Sequence, residues 1–442
     1  MTATSPVAPL LVRWSGALAA LAPADRCALV NRAAAEHDVR ARTAAIVTRV
    51  RRDGDAALRA FARELDGVSL ESLEVSRAEW TRALDSLEPA LRRAMERSAT
   101  NIERVHRALA PSSVEVESEP GVLLGRRADA LDRVGVYAPG GRAAYPSSVL
   151  MGVVPARVAG VREIVVCSPP DRETARPSSV VLAAAALGGA TRVFALGGAG
   201  AVAAMAYGTD SVPRVDRIVG PGNAYVAEAK LQVSSVVAID SPAGPSELLV
   251  VADASADPVL VAREMLAQAE HDPLAAVVAI ATSSRVALTI TEALARLLPA
   301  QQRADVCAAA LAGQGAVLWA ESLDEAIDFA NEYAAEHVLL VVADADAVLA
   351  RCRNAGTIFV GASASVAFGD YMTGANHVLP TGGLARSYSG LSTLDFVRWT
   401  TWQRVSPAAA ALLAGDVGTF ADAEGLPGHA MAARAWRAGG DT

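Results

Sequence analysis

From Ala130 onward the chain alternates short Val/Ile runs, glycine turns and helix-like stretches, and few folds accommodate that alternation. Arg133–Tyr137, Glu163–Cys167, Arg192–Leu196, Arg217–Val219, Ser235–Ile239 and Leu248–Val251 read as buried strands, with Val149–Gly160, Ser178–Leu187 and Ala199–Tyr207 as helices between several of them. A second set follows, with strands Ala275–Ala281, Gly315–Trp319 and Val338–Val342 set among helices Pro258–Glu270, Val286–Leu297 and Leu323–Tyr333. Strands joined through helices must run parallel, because a hairpin turn cannot return the chain to the same end of the sheet. The pattern therefore predicts an α/β protein with two parallel-sheet units in tandem. The first 130 residues show helical periodicity instead, through Ala44–Leu65 and Pro89–Leu109. The last 55 or so lose strand signals and read as a small helical tail.

Composition narrows the class. Of 442 residues, 52% are hydrophobic and only 20% charged, so the chain can bury enough apolar surface to fold. Aromatics are only 5%, so the hydropathy comes from small aliphatic side chains. The longest uncharged stretch, Val193–Thr209, carries four glycines and is shorter than the roughly 20 apolar residues of a membrane span. Arg13 precedes only a weakly apolar run, Trp14–Ala24, unlike the h-region of a signal peptide. Cys27, Cys167, Cys307 and Cys352 are scattered and read as reduced thiols, and a net charge of −8 without a basic block argues against nucleic acid or an anionic membrane. The expectation is a cytoplasmic protein.

Three glycine turns follow strands: Tyr137-Ala138-Pro139-Gly140-Gly141, Gly197-Gly198-Ala199-Gly200 and Gly220-Pro221-Gly222-Asn223. Such turns let backbone approach a pyrophosphate at a helix N-terminus. Gly198 to Ala203 even fits GxGxxA, a weak signal in a chain so rich in Gly and Ala. The six histidines say more. His37 and His106 sit in charged helical stretches and read as surface residues. The others lie beside carboxylates or carboxamides in turn-flanked positions: His271 three residues after Gln268, His337 after Glu336, His377 near Asp370 and His429 near Glu424. Together they favour one metal or acid–base site assembled from distant segments.

In combination these segments resemble the histidinol dehydrogenase family. The resemblance rests on Tyr137–Gly141 running into Ala143–Val149, on Val215–Asn223, and on Ala243-Gly244-Pro245-Ser246-Glu247. The Gln268/His271 helix end, Glu336-His337, Asn376–Gly383 and Glu424-Gly425-Leu426 with His429 complete it, in the same order from about Ala35 to the C-terminus. The resemblance implies two NAD-dependent oxidations of L-histidinol through an aldehyde-level intermediate to L-histidine, the last steps of histidine biosynthesis. It implies Zn2+ held by Gln268, His271, Asp370 and His429, His337 as general base, and Glu336 activating the water of the second oxidation. Ser246, His377 and Glu424 would hold the substrate with the zinc ligands and His337, while Tyr137 and Asn223 would contact NAD. It further implies a homodimer in which the tail brings Glu424 and His429 to the partner's site.

Some positions depart from the family. It usually carries Gln, which touches NAD, where this chain has Gly200. Ala335 stands where Pro usually precedes Glu-His, and Ser363-Ala364-Ser365-Val366 replaces the usual Thr-Pro-Glu-Ala. A paralogue that oxidises another small alcohol, such as a sulfonated diol, is the alternative, but the presence of His377 and Glu424 favours histidinol. A catalytically dead NAD- or metal-binding partner protein would have lost the base or a ligand, and none is lost. The expected organisation is two tandem, incomplete Rossmann-like domains: an N-terminal helical segment over 1–35, a first α/β domain over 36–136 plus 248–388, a second over 137–247, and a dimerising helical tail over 389–442.

Overall fold

The computed structural model describes residues 11–32, 37–140 and 144–437; residues 1–10, 33–36, 141–143 and 438–442, and the His37 side chain, lie outside the described set. In chain order the strands are β1 (Trp14–Ala17), β2 (Glu74–Val75), β3 (Val114–Glu119), β4 (Val122–Ala130) and β5 (Arg133–Tyr137). They continue with β6 (Glu163–Ser168), β7 (Arg192–Ala195), β8 (Arg217–Val219), β9 (Ala238–Ile239) and β10 (Glu247–Ala252). The series ends with β11 (Ala276–Ala281), β12 (Gly315–Trp319), β13 (His337–Val341), β14 (Thr357–Val360) and β15 (Val397–Val405).

Two six-stranded sheets result. One, here the β10 sheet, runs β1-β12-β11-β10-β13-β14 with every pairing parallel. The other, the β5 sheet, runs β2-β7-β6-β5-β8-β9 and is parallel except for the antiparallel edge strand β2. Each centre is an uninterrupted apolar run, as a strand covered on both faces requires. In β10 the two-residue alternation sends Leu248, Val250 and Ala252 to one cluster and Leu249 and Val251 to the other. Helices Pro258–Ala269 and Ser284–Leu297 supply the first cluster and Leu323–Tyr333 the second. The α/β class and the tandem parallel sheets match expectation.

Several boundaries do not. Residues 36–136 were expected with 248–388, but the helical residues Val47, Leu58, Trp80, Met95 and Ile102, and Val134 of β5 itself, share one core with Val166 and Val202 of the β5 sheet. Their helices are amphipathic, so periodicity shows that they must pack but not on which sheet. The N-terminal segment is not purely helical: Trp14–Ala17 is the parallel edge strand beside β12, followed by helix Pro23–Val30. Nor is the region before Ala130 all helix. β3 and β4 form a hairpin, and β15 pairs with β4 from Val397↔Ala130 to Val405↔Val122. The tail therefore contains a strand as well as helices Pro407–Ala423 and Pro427–Arg434. β3 is solvent-exposed along its length, so it carries no buried alternation to read. His106 is also not on the surface. It is 1% exposed, on the buried stripe with Met95, Ala99 and Ile102.

Candidate active site

The β10 sheet presents the N-terminal ends of two adjacent strands to the site. Glu247 opens β10, His337 opens β13, and the first paired rung is Leu248↔His337. Helix Leu323–Tyr333 stops at Ala334, which adopts a left-handed conformation (φ 50°, ψ 59°) and turns the chain into Ala335-Glu336-His337. Gly356 packs so closely that a Cβ there would lie 2.5 Å from the Glu336 carbonyl oxygen. Helix Pro258–Ala269 follows β10 and runs back along the sheet, so Gln268 and His271 arrive at the same end. Helix Val366–Tyr371 does likewise after β14 and brings Asp370; the Val366 N–H donates to Glu264 of the first helix (3.1 Å).

At the centre, Glu247 holds two neighbours through its backbone. His337 Nδ1 lies 2.9 Å from the Glu247 carbonyl oxygen. A carbonyl only accepts, so Nδ1 carries the proton and Nε2 presents its lone pair. Nε2 is buried without a hydrogen-bond partner and stands 3.9 Å from Asp370 Oδ1. The Glu336 carboxylate accepts from the Glu247 N–H (2.8 Å) and lies 3.5 Å from His337 Nδ1. His377 donates from Nδ1 to the Asp370 carbonyl oxygen (3.1 Å), which leaves Nε2 to accept from Ser148 Oγ (3.2 Å). Ser148 belongs to helix Pro146–Ala159 after β5, so this hydrogen bond joins the two sheets' units.

Burial sets the proton affinities. It drives the Glu336 carboxyl well above the ordinary carboxylate range, and the charges of Glu247 and Asp370 add to the effect. Burial raises Asp370 to about 6, helped by Glu264. Burial lowers His337 and His377 to about 4 and also lowers His271. Each imidazole is thus neutral at pH 7, the form that serves as a base or metal ligand. The Asp370 carboxylate has no hydrogen-bond donor among the described residues, and Gln268 is buried near the end of its helix. Buried carboxylate, carboxamide and neutral imidazole fit a divalent cation of zinc's kind. Among the described residues no three His, Cys, Asp or Glu side chains form a metal group. Glu424 and His429 are exposed on the tail and do not join the site within one chain.

The sequence profile described as histidinol dehydrogenase matches residues 30–437. The chain belongs to the histidinol dehydrogenase family. Histidinol dehydrogenase of Methanosarcina mazei is 45% identical over 419 residues, covering 95% of this chain and 96% of that one. The Halobacterium salinarum protein is 50% identical over 415 residues, covering 94% and 97%. The crystal structure of histidinol dehydrogenase from Elizabethkingia anophelis superposes with a TM-score of 0.92 at 31% identity, covering 97% of this chain and 99% of that one.

The residues expected to contact NAD, Tyr137 and Asn223, lie on the β5 sheet, at the carboxyl ends of its strands. Tyr137 ends β5; its hydroxyl accepts from the Gly198 N–H (3.0 Å), and burial pushes the phenol up to about 12. Asn223 caps helix Ala224–Val233, its Oδ1 accepting from the N–H groups of Tyr225 and Val226 (3.1 and 3.2 Å). The loop between β8 and that helix is held by a buried ion pair, Lys230 with Asp240. Asp240 accepts from the Gly220 N–H (2.7 Å), and Lys230 donates to the Gly220 carbonyl oxygen (3.1 Å). Gly200, the departure from the histidinol dehydrogenase pattern, lies in the first turn of helix Gly198–Tyr207 beneath Leu58 and Phe61. Ser246 is half-buried just before β10, its carbonyl oxygen accepting from the Ala276 N–H (3.0 Å). Sequence reasoning assigned no role to Ser148, Glu247, Arg32, Lys230 or Asp240. Only Ser148 and Glu247 had a signal, their presence in segments that carry the family resemblance.

Proposed function

We propose that the chain oxidises L-histidinol through L-histidinal to L-histidine, with two equivalents of NAD as hydride acceptor, and that Glu336 and His337 move the protons. The observation that carries the reading, beside family membership, is the unpartnered Nε2 of His337, buried and aimed toward Asp370 with its tautomer set by Glu247. Nε2 takes the proton from the substrate hydroxyl in the first oxidation. Glu336, made more basic than an ordinary carboxylate by burial, takes a proton from the water that adds to the aldehyde-level carbon before the second. One water enters, two hydrides leave to two NAD+ and three protons are released, which balances alcohol to carboxylate.

Zn2+ would be held by Gln268, His271 and Asp370, with His429 of a second copy as the fourth ligand, and would fix the amino and imidazole nitrogens of the substrate. Ser246, His377 and the second copy's Glu424 would close around the substrate, while Tyr137, Asn223 and the glycine turns would line the NAD side. A homodimer is supported by the tail itself. Leu412, Phe420, Met431 and Trp436 are exposed large apolar side chains on the same tail as Glu424 and His429, as a surface awaiting a partner would be. Among the described residues no helix is long and apolar enough to cross a membrane.

The test supplies zinc-loaded protein with L-histidinol and NAD and counts NADH per histidinol consumed. Two equivalents are expected; no turnover of histidinol overturns the reading and leaves a paralogue acting on another small alcohol. His429→Ala alone should lose zinc and activity. Mixed dimers with Glu336→Ala should recover part of the activity, and no recovery in verified mixed dimers counts against a shared site.

A further inference from the structure

Arg32 reaches the site from the segment after helix Pro23–Val30 and meets Glu247 in a fork-on-carboxylate pair. Nε to Oε1 and Nη2 to Oε2 are both 2.8 Å. The two side chains are 4% and 3% exposed. The guanidinium also donates to the carbonyl oxygens of Val30 (3.1 Å) and Tyr333 (3.0 Å) and lies 3.6 Å from the centre of the Tyr333 ring. The Glu247 carboxylate accepts further from the Gly382 N–H (2.7 Å) and the Glu336 N–H (3.3 Å). The same residue's N–H and carbonyl oxygen hold the Glu336 carboxylate and His337 Nδ1. The backbone N–H and carbonyl oxygen of Glu247 are therefore committed to Glu336 and His337, and its carboxylate charge is neutralised by one arginine.

We propose that Arg32 and Glu247 are positioning residues for the Glu336–His337 pair, fixing the imidazole tautomer and the carboxylate orientation from the far side of the reacting atoms. This rests on the reading of Glu336 and His337 as the proton-transfer groups. The physical reason is that a buried carboxylate holds its place only while its charge and lone pairs are satisfied. Without the guanidinium, the Glu247 carboxylate is a buried, uncompensated charge that swings toward water. That movement removes acceptors from the Glu336 and Gly382 N–H groups and frees the first residue of β10. A displacement of about 1 Å at a reacting group can cost on the order of 100-fold in rate. Lysine supplies the charge but not the two-pronged geometry, so it should serve only partly.

The experiment uses the full-length, zinc-loaded enzyme and compares Arg32→Lys, Arg32→Met and Glu247→Gln with the parent. L-histidinol and L-histidinal are assayed separately, with zinc content and Tm measured for each variant. Glu247→Gln and Arg32→Met should lower kcat by about 10- to 100-fold on both substrates, with the KM for NAD and the zinc content unchanged and Arg32→Lys intermediate. If Arg32→Met does not fold, Arg32→Lys and Glu247→Gln decide the matter. Parental kcat in folded variants overturns the proposal, as does a loss matched by lost zinc or a raised KM for NAD. A pure Tm loss with kcat intact means that the pair only anchors the N-terminal segment, and also overturns it. His337→Asn and Glu336→Gln run alongside. If they retain activity, the reading of the pair fails; if they lose it while the Arg32 and Glu247 variants do not, only this inference fails.

Discussion

The two sheets have the same size and nearly the same construction, yet they turn opposite ends to the site. The β5 sheet offers its carboxyl ends, where glycine turns lead into helix N-termini, the usual place for a ligand on an open α/β sheet. The β10 sheet offers its amino ends: Glu247 opens β10, His337 opens β13, and Gln268 lies on the last turn of a helix that has run back antiparallel to its strand. The chemistry demanded of each end explains the difference. Carboxyl ends bring backbone N–H groups and positive helix dipoles, suited to an anionic cofactor. Amino ends bring helix C-termini and strand-leading side chains, without a cluster of N–H donors that would compete for a base's lone pair. Each end is also held by a buried ion pair, Arg32–Glu247 on one sheet and Lys230–Asp240 on the other.

If the division is real, substitutions on the two sides should fail differently. The largest effect is expected for His337→Asn, with kcat on histidinol lowered by about 100- to 10,000-fold and the KM for NAD unchanged in steady-state assays. A change confined to the KM for NAD would break the division. On the other side, Gly220→Ala puts a Cβ 2.1 Å from the Tyr137 carbonyl oxygen at a φ of 115°. The loop must shift, so the KM for NAD should rise by about 10-fold or more while zinc content stays at parental stoichiometry; roughly 1–3 kcal/mol of backbone strain is expected there.

A third test reads stability. His106 is buried on the β5 side with both ring nitrogens unpartnered, and burial lowers it to about 4. Its folded value is below the unfolded value near 6.5, so both states are neutral above 6.5. As pH falls from 6.5 toward 4 the unfolded chain takes a proton that the folded one refuses, and stability is lost. Replacing His106 by Phe should therefore reduce the stability difference between pH 7 and pH 5 by about 2 kcal/mol in urea unfolding, with kcat at pH 7 intact. An unchanged acid limb would contradict the buried placement. The smallest effect is expected at Gly200, where a Cβ meets Leu58 and Phe61 at ordinary distances of 3.6 and 3.8 Å. Gly200→Ala should stabilise helix Gly198–Tyr207 by about 0.5–1 kcal/mol, read as a raised Tm with the KM for NAD unmoved.

The inner strands of both sheets were legible because a strand buried on two faces must be apolar throughout, as in Leu248–Val251 and Ala276–Ala281, whereas the edge strands β1, β2 and β14 went unread. For the candidate site, the sequence points only to short segments that carry their own pattern, as Glu336-His337 and Gln268 with His271 do. What escaped had its partner elsewhere. β15 reads as an undistinguished VRWTTWQRV until β4 lies against it, with Trp402 packed over Gly125. His106 looked like a surface histidine because its neighbours in sequence are charged, although Met95, Ala99 and Ile102 already marked its stripe. Arg32 and Glu247 lie 215 residues apart, and neither residue's surroundings hint at the other.

By itself, then, the sequence determined the α/β class, the alternation of strand and helix, the family, and which residue types could bear protons or metal. Those properties follow from local periodicity and short motifs, which survive without knowledge of distant neighbours. The tertiary structure alone decided which sheet the N-terminal helices cover, which strand ends face the site, and that His337 keeps its proton on Nδ1. Each of these depends on contacts between residues far apart in the chain, where burial and the scarcity of hydrogen-bond partners, not local propensity, select the arrangement.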